Sequence, residues 1–462
     1  TNTVLDITNA TAFTPSGTGG FKLTGVASGV TRTIVIGTTG GSAVTAPNIF
    51  VSAGTDTVTT TAASWFGDLT FTGFTGTFTP SGILNIAGSL TAVSGMTWTT
   101  GTSTLWFQST TTGKTITSAG KLIYAITFNG IGGSWLLQDA VTISTTLALT
   151  AGTLNLNGFD FTCTLFSSSN TNARGITFGS NYVNISSTAT TVVLDVTTAT
   201  NFTPSGTGGF KLTGAATTST RTITVGTTGG AVATAPNVNI AAGSDTVAIT
   251  TASWVQDLVF GASFSGGFTV PAALNIAGSY INSATMAMNI GTGTVTFVAT
   301  SSGKVINSGI YGFYNVTFNG VGGDWTLQGN FTNTNIGTLT AGTLILNNYI
   351  FQCLTFASTG TGVRGINSGT TGAVYTSSTA AATIISMADL TNFTWSGSGA
   401  ITMAGNPAST ITQTITVGTT SGSAATAPNI RIGSGQAGSI VAITTASWVN
   451  DLNFTGFAGS FT

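Results

Sequence analysis

Short runs in which an apolar side chain alternates with Thr or another small polar residue recur along the whole chain, and such alternation predicts β-strands. Thr31-Arg32-Thr33-Ile34-Val35-Ile36, the run from Ile123 to Phe128, and Leu147-Ala148-Leu149 place apolar side chains on one face or two and Thr on the other. Turn signals follow them. Gly40-Gly41, Asn129-Gly130, Gly132-Gly133, Ala151-Gly152 and Asn157-Gly158 supply the residues that tolerate positive φ. Leu154 and Leu156 stand on one side of Asn157-Gly158, and Phe159, Phe161, Cys163 and Leu165 stand on the other as one strand face. That pattern fits a hairpin or a solenoid corner. Inward positions are expected at Leu69, Phe71, Ile86, Phe128, Leu149, Leu156 and Phe161.

The pattern is itself repeated. Ala-Pro-Asn recurs with its proline at Pro47, Pro236 and Pro428, in steps of 189 and 192 residues. A Ser-Trp-x-x-Asp-Leu motif recurs at Trp65, Trp254 and Trp448, followed by Asp68, Asp257 and Asp451. Trp135, Gly152, Cys163 and Arg174 reappear 190 residues on as Trp325, Gly342, Cys353 and Arg364. The chain therefore divides into a first copy over 1–190, a second over 191–381 and a partial third over 382–462, with arbitrary phase. Val4-Leu5-Asp6 already lies inside a copy and Phe454 to Phe461 stops within one, which suggests a window from a longer repetitive chain. A weaker sub-repeat near sixty residues runs through Phe13, Phe78, Trp135 and Phe202.

Two all-β architectures accommodate this. In an elongated parallel β-solenoid each coil covers the apolar face of the last, which explains turn residues at regular corners and the absence of linkers. Tandem β-sandwich domains need about a hundred residues each, so a period would hold two. Sub-repeats near sixty residues fit the solenoid better.

Composition sharpens the picture. Charged residues make up only 5% of the 462 residues, the formal net charge is −1, and Glu and His are both absent. Thr, Ser, Gly and Asn fill the polar positions, a composition of strands and turns. The 10 cations are scattered, so no basic stripe exists for nucleic acid. The apolar runs are too short and too alternating for a membrane span. Cys163 and Cys353 occupy the same position in successive copies, which reads as a buried small apolar residue and excludes a disulfide framework.

Without His or Glu there is no Ser-His-Asp or Cys-His constellation and no ordinary zinc ligand set, so no catalytic, metal or cofactor residues are assigned and the chain reads as a non-enzyme. Asp carboxylates brought together by a solenoid leave a remote alternative, a polysaccharide-active β-helix enzyme. Arg174 and Arg364, each in an Arg-Gly-Ile turn, are candidates for an assembly or glycan contact, against the plainer reading of loop ties to backbone carbonyls. Trp65, Trp254 and Trp448 could stack on sugars, but their place before an apolar strand favours core or inter-coil packing; Trp135 and Trp325 read the same way.

Blocks such as Ala151-Gly152-Thr153-Leu154-Asn155-Leu156-Asn157-Gly158 and Gly132-Gly133-Ser134-Trp135-Leu136-Leu137-Gln138, with this composition, resemble those of large repetitive secreted proteins. These are bacterial surface fibres and adhesins and the fibre proteins of tailed phages. The resemblance implies a mechanical or display role outside the cell or at a cell or virion surface. The expectation is a structural subunit of an extracellular fibre or filament that self-associates through repeated low-charge β surfaces. An adhesin or phage receptor-binding fibre shaft, with glycans as partners, is the alternative.

Overall fold

The computed structural model describes residues 2–26, 28–405, 411–433 and 439–462. It contains two compact units, Thr1–Asn237 and Val238–Thr462. Strands joined by corners build both of them, and among the described residues the helical structure is the single 3₁₀ turn Val232–Thr234.

Within each unit the strand pairings among the described residues are parallel, each strand pairing with one about a coil later in sequence. This is a parallel β-solenoid. A sandwich would need antiparallel partners, so that alternative falls. In the first unit one full coil runs through three faces. Thr77–Thr79 lies on the first, Ile83–Ile86 on the second and Leu90–Thr91 on the third. Each of these pairs with strands of the coils before and after, as Ile83–Ile86 does with Ser64–Phe66 and Thr104–Phe107.

Alternation within a strand decides what fills the interior. In Thr104–Phe107, Leu105 and Phe107 are buried while Thr104 and Trp106 face outward and are half-buried. Leu69, Phe71, Ile86, Phe128, Leu149, Leu156 and Phe161 are all buried, as their spacing predicts. In-register stacking lines up like residues on successive coils. Phe107 stacks on Phe128 at 5.2 Å with Trp135 against both rings, and Phe297, Phe318 and Trp325 repeat the cluster in the second unit. Burial of this kind contributes about 25 cal/mol per Å² of apolar surface, and it is where the stability of each coil resides.

Asn157 and Gly158 form a corner, both with positive φ (51° and 87°), that passes the chain from the third face to the first. It is not a hairpin. The chain bends again after Cys163, so Phe161, Cys163 and Phe166 are buried whereas Leu165, expected to share their face, points outward. Gly152 is required by geometry. Its φ is 83°, and a methyl group there would lie 2.5 Å from Gly130 O, 2.7 Å from Gly133 O and 2.8 Å from the Trp135 ring; Gly342 repeats this setting.

The sequence period and the coil do not coincide. Asn2–Asn9 lies on the first face, and its copy Thr191–Thr198 lies on the second. Gly20–Leu23 is on the third face, and its copy Gly209–Leu212 is on the first. Between Asn2–Asn9 and Thr191–Thr198 the chain returns to the first face eight times, ending at Tyr182–Ile185, and then advances one face more. A period of 189 residues thus spans eight and a third coils, or about 23 residues per coil. The second unit does the same. Val238–Gly243 shares a ladder with Leu258–Phe264, whereas its copy Ile430–Ile432 belongs to the ladder of Ala400–Met403, one face on.

Candidate functional site

The polar residues that recur with the period hold one coil to the next. Arg174 begins the strand Arg174–Gly179 and is 2% exposed. Its Nε donates to Ser168 Oγ (2.7 Å), Nη1 to the carbonyls of Asn172 (3.0 Å) and Thr200 (2.9 Å), and Nη2 to those of Ser168 (2.8 Å) and Thr198. The guanidinium also lies over the Phe202 ring, 5.6 Å from its centre. Arg364, 1% exposed, repeats the set with Ser358, Gly362, Thr391 and Asp389 and stacks on Phe393. Burial lowers both pKa values from the ordinary arginine value. All five N–H donors of each guanidinium are engaged within the protein, so the candidate assembly or glycan contact at Arg174 and Arg364 finds no donor to use.

The carboxylates are likewise distributed along the coils. Asp139 accepts the Ser118 N–H (2.8 Å) and the Ala119 N–H (2.5 Å). Asp68 and Asp257 accept the N–H groups of Ser89 and Ser279, both at 2.7 Å. Asp160 accepts from Tyr182 N–H (2.9 Å) and the Asn184 amide (3.0 Å). Burial opposes its ionisation, but these bonds, a third from Asn181 and the charge of Lys211 outweigh that and hold the carboxyl below its usual range. Among the described residues no three Cys or Asp side chains come together to hold a metal ion.

Cys163 and Cys353 are fully buried and unpaired with each other. Burial pushes both thiols up, to about 12 at Cys353, so neither is a nucleophile near neutral pH.

The tryptophans separate into two classes. Trp135 and Trp325 are core residues with no exposure. Trp65 and Trp254 alternate with buried neighbours, Ser64 and Phe66 or Ser253 and Val255, and so face outward and are half-buried. Trp65 packs on the preceding coil, where a methyl group at Gly41 would overlap its Cδ1. Of the two sequence readings, inter-coil packing describes Trp65 and core packing does not. Trp448 makes the same approach to Gly422 and is 48% exposed.

Two features lie outside the candidate residues read from the sequence. The first is a buried ion pair, Arg32 with Asp56, whose signal is that Arg221 and Asp245 recur with it. The second is Arg431. It faces outward from the strand Ile430–Ile432 and is exposed, and among the described residues its guanidinium makes no hydrogen bond or ion pair to the protein. It stands between two surface depressions of about 260 and 180 Å³, the smaller lined by Tyr375, Ser398 and Thr402. Phe50 and Asn239 occupy its place in the other copies, so the fold does not require a cation there.

Comparison with protein-family models, curated proteins and solved structures returns no match. No helix among the described residues is long and apolar enough to cross a membrane.

Proposed function

We propose that the chain is a structural subunit of an extracellular fibre or filament, self-associating through repeated low-charge β surfaces. The observation that carries this reading is the use of the recurring polar residues. Arg174, Arg364, Asp68, Asp257 and their partners form coil-to-coil hydrogen bonds, so what the repeat preserves is the stack itself. A net charge of −1 over 462 residues adds little repulsion between neighbouring molecules.

Negative-stain electron microscopy and sedimentation of the 462-residue protein over a concentration series test the reading. Filaments or lateral ribbons are expected to grow with concentration. A single monomeric species up to hundreds of micromolar would overturn it.

A further inference from the structure

The repeat separates residues that the stack needs from residues it does not, and polar groups of the second kind are where a ligand would act. Arg431 is the clearest. Tyr375, Thr402 and Arg431 are consecutive rungs of one parallel ladder, all on its outward side. Tyr375 is half-buried and Arg431 exposed, whereas Thr402 between them is 6% exposed, and its Oγ1 has no hydrogen-bond partner. Two ladder steps place Tyr375 and Arg431 about 9–10 Å apart, with the 180 Å³ depression between them. The result is a notch with an aromatic wall, a floor over the covered Thr402 and an unpaired guanidinium at its far side.

The equivalent strands of the first unit show what this ladder looks like when its cation serves the fold. Lys211 stands where Thr402 stands and lies over the Tyr182 ring, 5.2 Å from its centre, and its charge acts on Asp160. In the second unit the cation is one rung further on, at Arg431, and among the described residues it meets neither a ring nor a carboxylate. Asp451 lines the depression on the opposite side of Arg431, which directs an anion toward the Tyr375 side.

We propose that this notch binds an acidic saccharide, one carboxylate-bearing sugar unit of a polyuronate-type glycan. The carboxylate takes the two-pronged hydrogen bonding of Arg431 and the sugar ring lies against Tyr375, with Ser398 and Thr371 at the rim. This does not depend on filament formation.

Calorimetric titration of the 462-residue protein with galacturonate and glucuronate oligosaccharides, their neutral counterparts and inorganic sulfate tests the proposal. Acidic oligosaccharides are expected to bind, with affinity falling as salt is raised, and neutral ones not. Arg431→Asn, which installs the residue found at Asn239, should weaken binding by about tenfold or more while leaving the melting temperature unchanged; Arg431→Lys should retain part of it. Absence of acidic-sugar binding at millimolar concentration, equal binding of neutral sugars, or unchanged binding by Arg431→Asn would each overturn the site. Sulfate binding as tight as that of the oligosaccharides would overturn its saccharide character.

Discussion

Arg32 and Asp56 form a two-pronged ion pair across adjacent coils, Nε to Oδ2 at 2.5 Å and Nη2 to Oδ1 at 2.8 Å, with 7% and 2% of the residues exposed. Gln413 and Ser439 stand at the two equivalent places in the third copy, both fully buried. Gln413 there donates to the carbonyls of Ser378 (2.7 Å) and Ala380 (3.3 Å). Charge has been lost from both members together, which is the change that burial permits. Removing one member alone strands a charge in a medium that cannot solvate it.

Asp56→Ala is therefore expected to destabilise the first unit by about 3–5 kcal/mol, while Arg32→Gln with Asp56→Ser costs much less. Chemical denaturation of both variants against the parent protein checks this. Equal losses would show that the ion pair is not coupled.

Gly152→Ala combines a strained φ with a methyl group directed into Gly130 O, Gly133 O and the Trp135 ring, and should cost about 2–4 kcal/mol. Gly158→Ala has a similar φ of 87° but open space around it, so it should cost only about 1–2 kcal/mol. The difference between the two midpoints in urea isolates the steric part.

These positions also show what the chain discloses before its structure is known. Alternation marks inward positions such as Phe128 and Leu149 and places Asn157-Gly158 at a turn, because side-chain period and positive φ are local properties. Parallel pairing was not written there, since backbone hydrogen bonds leave no mark on the side-chain pattern. The aromatic sub-repeat near sixty residues concealed a coil of about 23. Trp65 could have been placed outward from Ser64-Trp65-Phe66, given that Phe66 is an inward residue. Leu165 was misplaced because the corner after Cys163 carries no glycine. Arg431 was overlooked for the opposite reason: it does not recur.

The thiols of Cys163 and Cys353 should be silent in the folded protein. Ellman's reagent at pH 8 is expected to detect neither, and denaturant should release both, in line with their full burial. Labelling of either residue in the native state would place a solvent path into the core.

Acid should act through Asp160. Its folded pKa lies below the ordinary carboxylate value, so the unfolded chain binds the extra proton first. Its contribution is fully present above about pH 5 and is lost as pH falls through the usual carboxylate range toward the folded pKa. Asp160→Asn should flatten this part of the melting-temperature profile between pH 5 and pH 3. An unaltered slope would mean that other groups set it.

The extra third of a coil has a consequence for how such a chain can evolve. Whenever a period is duplicated, each of its outward residues is dealt to a different side of the stack, as Asn2–Asn9 and Thr191–Thr198 already are. Duplication therefore cannot by itself assemble a stripe of identical groups along one side. It also requires every strand to be serviceable on any side, which favours interchangeable Thr-rich surfaces. A feature confined to one side has to arise by point change within a single copy, which is how Arg431 differs from Phe50 and Asn239.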